Sequence, residues 1–147
     1  MDKEEIKKYR GDVIERFTNI ENLINVIISQ KYLGKVYDKF LLEFLCDEYC
    51  NFGLKRNVLE KILSDFDSNI MEKLRKLSKT RNYFAHCNLQ LWQIVEQKEI
   101  IIDPHNIDGS INFEDLYKEF LANENDVLRY LLEKAAALGV KISEKRL

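Results

Sequence analysis

Proline occurs once and glycine five times in 147 residues. So few chain-reversing residues disfavour a turn-rich sandwich or barrel and leave long helices as the expected element. No apolar run approaches the roughly 20 residues needed to cross a bilayer, and the opening MDKEEIKKYR mixes acids with bases and has no apolar segment behind it. Neither a membrane contact nor an export signal is therefore expected, and the location read from this is cytoplasmic. The cysteines are three, Cys46, Cys50 and Cys87. An odd number cannot pair fully within one chain, which suits thiols in a reducing compartment. Cys46 and Cys50 lie four apart and could share a helix face, yet the paired C-x2-C spacing of a zinc site is absent, so neither a metal nor another cofactor is expected. Net charge is only −2. That excludes the strongly basic body of a non-specific nucleic-acid coat and confines any polyanion contact to a local patch.

What is present is an apolar fraction of 46% beside 33% charged residues, enough to bury a core in one domain spanning 1–147. The first helix is expected from about Lys3 to Tyr32, because Val13, Phe17, Ile20, Ile24 and Ile27 recur at helical spacing, with Gly34 as its stop. KVYDKFLLEFLCDEY reads as a second helix with Phe40, Leu41, Phe44 and Leu45 on its apolar face and Gly53 beyond its end. Asn57 with Glu60, and Asn69 with Glu72, have capping-box spacing and open a short third helix and a fourth that runs to about His86. The segment 89–103 fits a short β-hairpin turning at Glu96 to Lys98, or a helical extension followed by one strand. Trp92, with Leu89, Leu91 and Ile94, reads as packing or dimer contact, and His105 beside Pro104 as surface. Asn112 and Asp115 open a closing helix with Leu116, Phe120, Val127, Leu128, Leu131 and Leu132 inward. The expectation is an all-α, up-and-down bundle of about five helices.

One asymmetry stands out. Lys73, Arg75, Lys76, Lys79 and Arg81 lie in a stretch from Lys73 to Val95 that contains no Asp or Glu. Within it the apolar seam of the fourth helix steps through Ile70, Leu74, Leu77, position 81 and Phe84, and position 81 is an arginine. A guanidinium in such a seam costs desolvation free energy unless a carboxylate, a phosphate or a wet cleft meets it. Two readings stay open: a stem packed on the core with its head reaching a surface acid, or a cation waiting for an anionic ligand. His86 follows five positions later, rotated by about 140° on an ideal helix. Asn82, four residues before His86, stacks beneath it and could orient the imidazole or hold a phosphate oxygen.

The stretch KLSKTRNYFAHCN resembles the HEPN family, whose signature is an arginine, usually followed by a polar residue, then a histidine four to six positions further at the end of a long helix. Here those residues are Arg81, Asn82 and His86. The resemblance extends to the layout, with two long N-terminal helices, a shorter one, the motif helix, an irregular insertion and a closing helix. It implies a homodimer whose two motifs face one cleft and cut RNA without a metal, as toxins or defence effectors do, with an antitoxin or regulatory protein as a further partner. Imidazole can take the proton of a ribose 2′-OH or protonate the departing 5′-oxygen, and guanidinium can hold the charge building on phosphorus. Arg81 and His86 are thus the candidate catalytic pair, with Asn82, Tyr83, Lys79 and Lys76 as supporting or RNA-binding side chains. Tyr83 could stack on a base, although an aromatic inside a helix is more often packing. HEPN toxins paired with a minimal nucleotidyltransferase often carry a tyrosine two residues after the histidine, and Asn88 stands there instead. The alternative function is a non-catalytic helical module that binds a nucleotide, RNA or a partner protein.

Overall fold

A computed structural model describes residues 3–86, 100–102 and 110–141. Among these residues the chain forms five helices. They are α1 (Lys3–Leu33), α2 (Asp38–Phe40, running into a π-helical turn, Leu41–Leu45), α3 (Phe52–Ile62), α4 (Ser68–His86) and α5 (Phe113–Ala137). Two three-residue strands, β1 (Ile100–Ile102) and β2 (Ser110–Asn112), pair antiparallel with Ile101 opposite Ile111. The expected all-α bundle is what forms.

α1, α4 and α5 make the frame. Contacts from Asp67 to Tyr130 and from Phe84 to Phe113 run α4 antiparallel to α5, while Asp12 to Tyr117 and Gln30 to Leu138 run α1 parallel to α5. The buried stripes meet between them: Val13, Phe17, Ile20, Ile24 and Ile27 from α1, Ile70, Leu74, Leu77 and Phe84 from α4, and Phe120, Val127 and Leu131 from α5. Each such side chain contributes roughly 1.5–3 kcal/mol by leaving water, so the seams hold the helices together more than intrinsic propensity does.

The ends of α1 and α5 follow the sequence. Gly34 adopts φ 68° and donates its N–H to the Gln30 carbonyl, the left-handed stop that glycine reaches without a Cβ clash. Asn112 accepts the N–H groups of Glu114 and Asp115 and so caps α5, as expected.

Elsewhere the chain departs from expectation. The second helix is short: it leaves helical geometry at Cys46, after which the Asp47 carboxylate accepts the Tyr49 N–H. That local side-chain turn competes with further helical hydrogen bonds. The π-turn brings Leu45 into the core and leaves Leu42 and Phe44 largely exposed, Phe44 stacked on Phe40. The layout of two long N-terminal helices is therefore not observed. α3 is capped by Asn51, which accepts the Leu54 N–H, and not by Asn57, which lies inside the helix. Gly53, read as a terminator, sits in the first turn of α3, where a Cβ would come within 3.3 Å of the capping oxygen. Asp67, not Asn69, caps α4, since its carboxylate accepts the Asn69 N–H. The partner of Ile100–Ile102 is Ser110–Asn112, so that strand pairs downstream. The proposed turn at 96–98, Cys87, Asn88, Trp92 with its apolar neighbours, and His105 lie outside the described residues.

Candidate nucleic-acid interface

Arg81 occupies the seam of α4 between Leu77 and Phe84, both buried. It is half-buried, and its guanidinium carbon lies 4.8 Å from the ring centre of Phe17 on α1. Its Nε is covered by protein and has no hydrogen-bond partner. Among the described residues no carboxylate meets it. Cation–π attraction offsets part of the desolvation, about 2 kcal/mol at best. The surface-acid arrangement that would make Arg81 purely structural is not formed among these residues.

His86 ends α4 and is exposed, as is Asn82 one turn earlier. The rotation of about 140° between positions 81 and 86 sends the two side chains in different directions. Arg81 enters the groove between α4 and α1, while His86 stands in solvent at the helix end. Both lie in the last two turns of α4, on different sides of it. Tyr83 is half-buried and packs on the core, with the Lys79 ammonium 5.7 Å above its ring.

The acid-free run of sequence is not acid-free in space. Lys73 bonds Asp126, and Lys76 lies 3.4 Å from Glu119, both acids supplied by α5. Arg75 has Glu72 at 3.7 Å, one turn back on its own helix. These pairs are substantially exposed and contribute little to stability. They do lower the positive field on the α5 side, so Lys76 is a partly neutralised cation. Arg81, with no carboxylate among the described residues, lies on another side of α4, against Phe17 of α1.

A second arginine belongs to that side and was missed in the sequence. Arg56 of α3 lies 5.9 Å from the ring centre of Phe52, Phe52 lies 4.7 Å from Phe17, and Phe17 carries Arg81. Arg56 repeats the features of Arg81: half-buried, Nε covered and without a partner, and no carboxylate among the described residues. Burial, with Arg75 nearby, pulls its pKa below the ordinary guanidinium value. The signal was available, because Phe52, Arg56, Leu59 and Leu63 step by four, three and four as an apolar seam with a cation in it. The neighbouring Lys55 is different: almost fully buried, it is held by Glu21 at 2.7 Å.

The groove between α1 and α5 is built from closed pairs. Arg16 binds Asp12 at 2.7 Å and Glu124 at 3.1 Å, and the Tyr117 hydroxyl donates to Asp12 at 2.6 Å. Burial pushes the Glu124 carboxyl above its usual range despite Arg16. Burial also pushes Asp12 upward, but the hydrogen bonds from Tyr117 and Arg16 outweigh it and leave that carboxyl low. The Tyr117 phenol is pushed up to about 12 by burial and by its bond to Asp12. Beside this network lies a cavity of about 330 Å³ lined by Glu5, Lys8, Tyr9, Asp12, Glu15 and Tyr117.

Among the described residues no three His, Cys, Asp or Glu side chains gather as metal ligands would, and no helix is long and apolar enough to cross a membrane. Comparison of the chain with protein-family models, with curated proteins and with solved structures returns no match.

Proposed function

We propose that the chain is a metal-independent endoribonuclease of HEPN type, acting as a toxin or defence effector. In this reading the 2′-OH of the substrate attacks the adjacent phosphorus, the 5′-oxygen leaves, and the products carry a 2′,3′-cyclic phosphate and a 5′-hydroxyl. Arg81 holds the phosphoryl charge and His86 moves the proton. Asn82 and Lys79 contact the backbone nearby, with Lys76 more distant. The observation that carries the reading is Arg81: a guanidinium laid on Phe17 in an apolar seam, with no carboxylate among the described residues. An RNA phosphate is the partner this side chain lacks. The divergent directions of Arg81 and His86 fit a site completed by a second copy of the chain, so a homodimer belongs to the proposal. An antitoxin or regulatory protein would hold the activity in check.

The same divergence favours a second reading, a module in which Arg81 binds phosphate and no bond is cut. One experiment separates the two. Because His86 is exposed at a helix end, His86→Ala is expected to leave the fold intact. Wild-type protein in EDTA should release cyclic-phosphate ends from RNA, His86→Ala should lower the rate at least about a hundredfold, and DNA should survive because it lacks the attacking hydroxyl. Undiminished cleavage by His86→Ala would exclude His86 from the chemistry; RNA bound and uncut by wild type would leave the module.

A further inference from the structure

The nuclease reading uses one arginine, and the groove that holds it contains a second with the same unfinished environment. Arg81 and Arg56 rest on the two rings of the Phe17–Phe52 pair, one guanidinium on each. The steps of 4.8, 4.7 and 5.9 Å, laid end to end, set an upper bound on the separation of the two guanidinium carbons. The rings fix both stems and remove rotamer freedom that a binding event would otherwise have to remove.

Among the described residues neither cation has an acid partner. In each, Nε is the nitrogen that is both covered and unpaired, which leaves the terminal nitrogens to take a ligand. The charged group acting on Arg56 is another cation, Arg75, which itself has Glu72 at 3.7 Å. Lys55 next to it is neutralised by Glu21, and Lys73 and Lys76 on the far side of α4 by Asp126 and Glu119. Arg81 and Arg56 are thus the two cations without an acid partner among the described residues that lie on this pair of rings, and Arg75 beside Arg56 has Glu72 at 3.7 Å. A protein without a ligand for this pair keeps like charges close together on an apolar support, which is unfavourable unless an anion relieves it.

We propose that Arg56 is a second phosphate-binding residue, and that the α1–α3–α4 groove takes at least two phosphates of one RNA strand, one on Arg81 and one on Arg56. Each ring of the Phe17–Phe52 pair carries its own guanidinium, so the ligand assigned to the groove is a polyanion with successive phosphates. The assignment rests on the nuclease reading for the identity of that polymer. Arg56 is a binding and positioning residue: it sets which stretch of strand lies beside the reacting bond and takes no part in proton transfer.

The test uses the full chain and a short 2′-O-methyl RNA oligonucleotide of mixed sequence, which binds but lacks the attacking hydroxyl. Affinity is followed by fluorescence anisotropy from about 50 to 200 mM salt, where each phosphate contact contributes about −0.7 to the slope of log K against log salt. Arg56→Met, which keeps an apolar stem on Phe52, is expected to weaken binding about tenfold and to flatten the slope by about 0.7. Arg56→Lys should recover the slope but only part of the affinity, since ammonium is a point charge without the bidentate fork. It also keeps the test decisive if Arg56→Met melts early. Wild-type affinity and slope in both variants would overturn the proposal. Cleavage of unmethylated RNA, followed in parallel, separates the two claims. His86-dependent cleavage with no role for Arg56 sinks only the second phosphate; loss of binding in Arg56→Met, with no cleavage by wild type, sinks only the nuclease.

Discussion

α1 has two charged flanks, and they are finished differently. Toward α5, Arg16 is enclosed by Asp12 and Glu124, and Tyr117 adds its hydroxyl to Asp12. Toward α3 and α4, Arg56 and Arg81 are laid on aromatic rings and meet no acid among the described residues. Both flanks place guanidinium against the same helix, and both remove part of it from water. On one flank the chain supplies the countercharge itself, which makes that groove part of the fold. On the other it supplies the apolar bed and, among the described residues, no countercharge, and this is the side to which we assign an anionic ligand. Charge in a seam does not mark a site; charge left without its complement does.

Of the side chains on the two flanks, Arg16 is expected to matter most to stability. Arg16→Met would leave Glu124, almost fully buried, without its cation. Breaking a buried pair costs about 3–5 kcal/mol. Arg16 is 41% exposed and water can reach the site, so a loss of about 2 kcal/mol is expected. Urea unfolding measures it. A loss no larger than that of a typical surface substitution would mean that the α1–α5 network is ornament to the fold, and the two flanks would then be alike.

A smaller effect, with a defined sign, comes from pH. The Glu124 carboxyl is raised in the folded state by burial, so the fold binds its proton more readily than the unfolded chain does. Its contribution is favourable below the ordinary glutamate range and is lost as pH rises through the raised value. Asp12 is lowered, so its contribution is present above the ordinary aspartate range and is lost as pH falls through the depressed value. Glu124→Gln removes the first of these and keeps a hydrogen-bonding side chain beside Arg16. Relative to wild type the variant should gain in melting temperature as pH is raised from about 4.5 toward 7.5. A gap that stays constant over that range would show that burial of Glu124 does not govern its titration.

How much of this was legible in the sequence depends on the length of the pattern that carries it. α1, α4 and α5 run for many turns, so their stripes average over local exceptions, and Gly34 and Asn112 mark ends where one residue type is strongly preferred. The α2–α3 region failed because short-range competition decides it. The Asx turn at Asp47 ends a helix whose apolar pattern continues, and Asn51 and Asp67 take the caps that capping-box spacing assigned to Asn57 and Asn69. At the candidate site, Arg81 was found because it interrupts a long seam. Arg56 interrupts a shorter one and passed unnoticed beside Lys55, which looked the same in sequence and is in fact tied to Glu21. The neutralisation of Lys73 and Lys76 by Asp126 and Glu119 was invisible, since it joins residues 53 and 43 positions apart in sequence.

The smallest expected effect is the most informative about the open flank. Arg81→Met keeps a flexible stem on Phe17, where a thioether also interacts favourably with the ring, and removes a covered nitrogen that has no partner. Replacing an unmatched, partly buried charge by an apolar side chain of similar length is often neutral or stabilising. Stability in urea should therefore change by about 0.5 kcal/mol or less, in either direction, against a much larger loss for Arg16→Met on the closed flank. RNA affinity should fall in the same protein. If Arg81→Met instead destabilises the fold as Arg16→Met does, the guanidinium has a structural counterpart after all. The pair of Arg81 and Arg56 would then lose its claim to be an unfilled site.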